Sequence, residues 1–338
     1  MSTAQLHELA PSLPRVPLTT GPTPLISMAS GLWLKDDGLS GTLYGGNKVR
    51  KLEYLLGDAL HHGYSRVLTI GAAGSNHALA TSIYTASLGI GCDVLHFDQP
   101  PTEHVRHNLR AISRTPSRLT NVGSVVGLPR AITAARVSNA CQPRHRQFYF
   151  VPGGGSSPVG ALGYVNAALE LADQLRGAGI RRPLTAWVAA GTAGTLAGIV
   201  VGLQLAGLHD ATVVGVRVTD RVVCNPSVVR RLIAGTSHIL RRAGVTLPPR
   251  RPQWHLDETQ FGAGYGIETP AGARAAVHAR SEGLNVEPTY TAKALAAALA
   301  ASEQGVRLYW HTLNARALDC GDPSSAPSLP REYAHYFA

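Results

Sequence analysis

The sequence predicts an α/β protein built on parallel sheets with helices on both faces. Short β-rich runs alternate with helix-period runs along most of the chain. Several of the strand-like runs end in glycine-rich loops that open directly into a helix. The length, 338 residues, exceeds the ~100–200 of one typical domain, so two domains, or one with a large insertion, are expected.

Taken in order, "RVLTIGA" (66–72) reads as a strand, "HALATSIYTASLG" (77–89) as a helix, "GCDVLHF" (91–97) as a strand and "HVRHNLRAISR" (104–114) as a helix. "QFYFVPGGG" (147–155) is a strand ending in a glycine loop, and "GALGYVNAALELADQLRGAG" (160–179) is a long helix with glycine near its end. Then come a strand at 184–191, a helix at 195–207 and a strand at 212–220. Helices at 270–283 and 291–305 and a strand at 306–312 follow. The tail beyond has no period and reads as a loosely packed end.

Composition narrows the function. The chain is 44% hydrophobic and 15% charged, as a globular protein with a large core should be. Thr185–Leu208 carries no charge, but Gly191–Thr195 divides it, so it reads as strand, loop and buried helix rather than a membrane span. The start of the chain has no continuous apolar stretch, and no signal peptide is expected. Four widely spaced cysteines outside any CxxC motif fit free thiols and a cytoplasmic setting. The net charge of +10 is scattered and not interleaved with aromatics, so no nucleic-acid partner is expected, whereas an acidic small ligand such as a phosphate ester suits it. No metal is expected, because neither His104/His107 nor His61/His62 is joined by carboxylates or cysteines at ligand spacing.

In open parallel sheets ligands bind where strand ends meet helix starts. Four such places stand out. "GTAGT" (Gly191, Thr192, Ala193, Gly194, Thr195) is either a phosphate loop, with backbone N–H groups and a helix dipole facing an anion, or a tight turn with a threonine cap. "GAAGSNH" (71–77) either caps a helix through Ser75 or Asn76 or presents them to a carboxylate. "VPGGGSSPVGALGY" (151–164) requires close backbone approach. "YGGNKVRKLEY" (44–54) places Lys48 at a helix start with Arg50 and Lys51 close by. Lys48 is either a solvated lysine or an amine whose pKa is lowered by burial and cationic neighbours. The other lysines compete poorly: Lys35 lies beside two aspartates, and Lys293 lies in an alanine-rich helix.

In this order, "GGNKVRKLEYLLGDAL", "SNH", "GGGSSPVGALGYVNAALE", "GTAGTLAGIVVGL", "GYG" (264–266) and "EPTYTAKALAAAL" (287–299) resemble the pyridoxal-phosphate (PLP) enzymes of the tryptophan-synthase-β fold, or fold type II. Within that fold the chain is most similar to the D-cysteine desulfhydrase and 1-aminocyclopropane-1-carboxylate (ACC) deaminase group, over about residues 15–312. The resemblance implies two parallel-sheet, three-layer domains: a larger one from 1–50 and 158–338, a smaller one from 51–157, and the cofactor in the cleft between them. It also implies a homodimer and a small amino-acid substrate.

The resemblance further implies residue roles. Lys48 forms the internal aldimine and shuttles the α-proton. Asn76 hydrogen-bonds the cofactor's phenolic oxygen. Ser75 and the His77 backbone receive the substrate carboxylate. Gly191–Thr195 holds the phosphate, Tyr265 and Tyr290 line the substrate side, and Thr291 and Thr312 face the pyridine nitrogen. The two glycines before Asn47 would be slack that lets Lys48 reach the cofactor. ACC deaminases carry Glu where Thr291 stands. A threonine hydroxyl would leave the nitrogen neutral, which suits α,β-elimination on a β-substituted amino acid to a 2-oxo acid and ammonia. Ring opening of ACC, β-replacement and a PLP-fold binding protein without turnover are the alternatives. Two segments depart from the family pattern: "SNHALAT" replaces SNH-x-R-Q, and "HTLN" (311–314) replaces HTGG, so Leu313 and Asn314 would add bulk where glycines leave room.

Overall fold

The strand–helix alternation organises into two sheets. The computed structural model describes every residue except 1, 3–5, 7–9, 181–182, 303, 323–324 and 326. By contact the chain divides into a first unit, Met1–Tyr54 with Ser156–Arg316, and a second, Leu55–Gly155 with Ala317–Ala338.

The first unit holds a six-stranded sheet in the order β1 (Leu25–Ser27), β2 (Trp33–Asp36), β10 (Val306–His311), β7 (Leu184–Ala190), β8 (Thr212–Arg217) and β9 (Gln253–Asp257). Only the β1–β2 pair is antiparallel. β7 is central and almost wholly buried, which explains its unbroken apolar run. It leads through Gly191–Ala193 into α6 (Gly194–Leu205), all of whose residues are buried. The chargeless Thr185–Leu208 stretch is therefore a core strand and a core helix. Among the described residues no helix is long and apolar enough to cross a membrane. α5 (Pro158–Gly177) starts at Ser157, whose side chain accepts the Gly160 N–H, and proline fills its first turn. α7 (Pro226–Arg242), α8 (Pro270–Ser281) and α9 (Thr291–Ala300) complete the unit. The Arg230–Arg231 and Arg241–Arg242 pairs lie exposed on α7.

A buried set of charges ties β2, β10, α5 and α1 (Asn47–His61) together. Asp37, fully buried, accepts from Arg50 Nε (3.0 Å) and Nη2 (2.8 Å), Thr23 Oγ1 (2.9 Å), Tyr164 Oη (2.6 Å) and Trp310 Nε1 (2.8 Å). Arg50 also donates to Glu170 (3.0 Å), which pairs in turn with Lys35. Two cations thus meet two carboxylates, and each carboxylate is multiply hydrogen-bonded, which is what burial of charge requires. Lys35 points to Glu170 and the Thr23 carbonyl, while its neighbour Asp36 pairs with His311 (2.8 Å).

The second unit holds the parallel sheet β5 (Arg118–Asn121), β4 (Gly91–Phe97), β3 (Arg66–Ala72) and β6 (Tyr149–Val151). Its helices include α2 (Asn76–Ser87), α3 (Glu103–Ser113) and α4 (Leu128–Ala140). Here the expectation for the tail needs correction. Ala317–Ala338 clusters with this unit, not with the larger domain, and its last described residues are packed. Tyr333 and Tyr336 are fully buried, Tyr333 Oη meets His96 Nδ1 at 2.9 Å, and Arg106 Nε donates to the Tyr336 carbonyl at 2.8 Å. Two aromatic side chains anchor a segment that has no period to reveal it.

Replacing Asp37 by Ala leaves Arg50 buried without its main partner and strips acceptors from Tyr164 and Trp310. We expect a loss of about 3–5 kcal/mol, read from urea unfolding. A change below ~1 kcal/mol, the scale of an exposed pair, would show that the cluster does not hold the unit together.

Candidate active site

The site is built from the start of α1 outward. Gly45 and Gly46 are not slack. A Cβ on Gly45 would overlap the Gly38 carbonyl, and Gly46, at φ +74°, would place one 2.5 Å from the Thr312 carbonyl oxygen. Gly45 N–H donates to Asn314 Oδ1 (2.6 Å) and Asn47 N–H to the Thr312 carbonyl (3.2 Å). The loop ahead of Lys48 is therefore clamped onto the segment after β10. Asn314 serves as that clamp, its Oδ1 turned to Gly45 and to the Arg316 N–H (3.0 Å).

Lys48 is half-buried, and its Nζ donates to Asn47 Oδ1 at 2.7 Å. Desolvation pushes its pKa down to about 8, against the opposing pull of the Glu287 carboxylate. One turn on, Lys51 is buried and held well below the usual lysine range by desolvation and by the Lys48 charge. Its Nζ lies 3.5 Å from Ser156 Oγ. Lys293, by contrast, is buried against Phe261 and donates to its carbonyl (2.8 Å).

The loop Gly191–Thr195 forms a donor-rich cradle. Ala193, at φ +63°, is the one non-glycine in the left-handed region among the described residues, a conformation that costs ~1–2 kcal/mol. As the residue before α6 it has no side chain to cap the helix, and the Gly194 N–H is taken up by Ser156 instead. Ser156 Oγ meets Thr192 Oγ1 (2.7 Å) and accepts the Gly194 N–H (3.1 Å). A Cβ on Gly194 would lie 2.5 Å from that same Ser156 oxygen. Asn47 Nδ2 donates to Thr195 Oγ1 (3.1 Å), which ties the cradle to the residue beside Lys48.

The Tyr290 ring packs over Gly191, where a Cβ would sit 3.1 Å from it. Its hydroxyl meets that of Tyr265 at 2.6 Å. Burial pushes both phenols up, so both stay protonated near neutrality. Thr291 begins α9 with its hydroxyl in contact with Glu287, whose N–H donates to it at 2.8 Å. Lys48, Gly191–Thr195, Tyr265, Tyr290, Thr291 and Thr312 all belong to the first unit.

Ser75, Asn76 and His77 belong to the second unit. Ser75 caps α2, its Oγ accepting the Ala78 N–H at 3.3 Å. Asn108 Nδ2 donates to Asn76 Oδ1 (2.8 Å) and to the Gly74 carbonyl (2.8 Å), which orients the Asn76 amide. The His77 ring is buried and meets Thr69 Oγ1 at 3.1 Å. Among the described residues no group of three or more His, Cys, Asp or Glu side chains is placed to hold a metal.

Sequence reasoning missed Lys51, Ser156, Asn108 and Glu287. Lys51, three residues after Lys48, shares its helix face, and Ser156 follows the glycine run; both signals were readable. Asn108 and Glu287 act through contacts that no local pattern marks.

The fit to a phosphorylated aldehyde is direct: a reactive amine, a buried second amine and an uncapped helix start lined by hydroxyls. With the protein freed of cofactor, trace acylation read by mass spectrometry should label Lys48 about tenfold faster per pH unit up to its pKa. Labelling should level off above about pH 8, where the free amine predominates. Labelling that still climbs near 10.5, the ordinary lysine value, would mark a solvated side chain.

The comparisons with known proteins agree with this chemistry. The family described as pyridoxal-phosphate dependent enzymes matches residues 16–306. The chain is 33% identical to the D-cysteine desulfhydrase of Salmonella paratyphi B over 336 residues, covering 93% of this chain and 97% of the relative. It is also 33% identical to the nocardicin C-9' epimerase of Nocardia uniformis over 313 residues, covering 90% of this chain and 94% of that one. A solved structure of an ACC deaminase homologue superposes with a TM-score of 0.75 at 30% identity, covering 91% of this chain and 94% of the other. A threonine deaminase from Solanum lycopersicum, at 13% identity and a TM-score of 0.61, covers 93% of this chain and 90% of its own and shares the fold. With a family match across most of its length and relatives one-third identical over nearly the whole chain, the chain belongs to the pyridoxal-phosphate dependent enzymes of fold type II.

Proposed function

We propose that this enzyme is a lyase that eliminates a β-substituent from an amino acid. The observation that carries the reading is the Lys48 amine, lowered to about 8 beside the Ser156–Thr192 cradle, in a chain one-third identical to a D-cysteine desulfhydrase over nearly its full length.

The bound cofactor supplies an electron sink for the carbanion at the substrate α-carbon. The protein supplies the rest. Lys51, Ser156, Thr192 and the start of α6 would hold the phosphate. The Asn76 amide nitrogen donates to the phenolic oxygen, oriented by Asn108. Ser75 Oγ and the His77 N–H receive the substrate carboxylate. Lys48 Nζ takes the α-proton, and its free-base form is accessible near neutrality because burial has lowered its pKa. The Tyr265–Tyr290 pair, protonated at the substrate side, donates a proton to the departing β-group. The substrate loses HX across Cα–Cβ, and the released enamine takes up water to give a 2-oxo acid and ammonia.

A second reading is epimerisation at the α-carbon, favoured by the equally similar nocardicin C-9' epimerase. It uses the same proton abstraction but returns a proton to the opposite face with no bond broken at Cβ.

Incubation of the holoenzyme in heavy water with D- and L-amino acids bearing β-leaving groups separates the two. Elimination gives ammonia and 2-oxo acid. Epimerisation gives α-deuterated substrate of inverted configuration without ammonia. Lys48→Ala should abolish either product by at least ~100-fold. Absence of both products and of α-deuterium across the panel would refute catalysis on free amino acids.

A further inference from the structure

Glu287 lies four residues before Thr291 and is joined to it in both directions. Its carboxylate accepts the N–H groups of Thr289 (Oε2, 2.8 Å), Tyr290 (Oε1, 2.8 Å) and Thr291 (Oε1, 2.8 Å). Thr291 Oγ1 in turn accepts the Glu287 N–H at 2.8 Å. An N–H can only donate, so one lone pair of the threonine oxygen is committed there. The hydroxyl proton has Glu287 Oε1 at 3.2 Å and the Glu287 carbonyl at 3.4 Å as acceptors. A charged acceptor wins over a neutral one, so the proton goes to the carboxylate. What remains on Thr291 is a single lone pair. The hydroxyl is an acceptor toward anything else it meets.

The charge of Glu287 is felt throughout this part of the first unit. It opposes the lowering of Lys48 and Lys293 and adds to the raising of Tyr265, Tyr290 and Tyr309. Tyr309 Oη donates to the Thr291 carbonyl at 3.0 Å, so the same residue is held from both sides.

We propose that Glu287, acting through Thr291, keeps the ring nitrogen of the bound cofactor protonated. This rests on the reading that Thr291 faces that nitrogen. A pyridine nitrogen opposite a donor hydroxyl stays neutral. Opposite a hydroxyl whose proton is taken by a carboxylate, it is stable only with its own proton, as N–H donating to Oγ1. The threonine that implied a neutral ring when read in the sequence therefore transmits a carboxylate one hydrogen bond further back. Glu287 is a positioning residue in this arrangement, since it touches Thr291 and not the reacting atoms. A protonated ring holds carbanion charge more strongly, which serves proton return to the α-carbon as well as elimination.

The test is the ¹⁵N chemical shift of ring-labelled pyridoxal phosphate in the holoenzyme, which reads protonation at the nitrogen directly. Wild type should show the protonated-pyridinium position. Glu287→Gln and Thr291→Val should both move it to the neutral-pyridine position, and Thr312→Val should leave it protonated. Gln keeps an oxygen for the backbone cap, and circular dichroism confirms that α9 survives; a purely structural role would not move the nitrogen shift. A neutral wild type overturns the proposal, as does a protonated shift unchanged in Glu287→Gln or one lost in Thr312→Val. A wild type whose line matches free cofactor, with no difference from Lys48→Ala, would refute cofactor attachment itself and this proposal with it.

Discussion

The pairing of Asp37 with Arg50 is the constraint on which the first unit is arranged. Asp37 directly follows β2, Arg50 lies in the first turn of α1, and Tyr164 and Trp310 bring α5 and β10 to the same carboxylate. Because a buried charge tolerates no vacancy among its partners, these four elements have little freedom to slide. The residue two before Arg50 is Lys48. The direction in which α1 leaves the sheet, and so the place of the amine, follows from a salt bridge that itself does no chemistry.

Around that fixed point the site concentrates positive charge. Lys48 and Lys51 stand one helical turn apart with burial working against both charges. The start of α6 adds the positive end of the helix dipole, and its Gly194 N–H is taken by Ser156 Oγ. The buried cations and the left-handed backbone of Ala193 each oppose stability when taken singly.

Much of this was legible in the sequence, for identifiable reasons. β3, β4, β7 and β8 are parallel strands of short, β-rich sequence, and α5 and α6 are long apolar runs opened by glycine loops, so their types follow from pattern. β1, β2, β5 and β9 escaped notice because each is short and all four lie at or beside a sheet edge. α4 escaped because it buries only Leu128 and carries no strong apolar stripe, whereas the stripe of α7 at Val229, Leu232, Ile233, Thr236 and Leu240 was readable and overlooked. Lys48, Gly191–Thr195, Tyr265 and Tyr290 were singled out from motif order, and the structure gathers them in the first unit. Their geometry was not readable in that order. The glycines before Lys48 pass for flexible spacers until the Gly38 and Thr312 carbonyls are seen against them. Asn314 passes for added bulk until its amide is found bracing Gly45. Glu287 is invisible for a related reason: a glutamate at a helix start reads as an ordinary cap, and only its distance to the Thr291 hydroxyl gives it electronic meaning.

The clamped loop ahead of α1 has a further consequence. With the backbone of residues 45–47 pressed between Gly38 and the 312–314 segment, the main chain cannot advance or retreat to follow a ligand. The whole travel of the reactive nitrogen is then the sweep of four methylenes pivoting on a stationary Cα. Lysine is the one natural residue with a primary amine on so long a tether. Any exchange of partners at that nitrogen is a matter of side-chain torsions, occurring on the fast timescale of rotamer change rather than the slower one of loop motion.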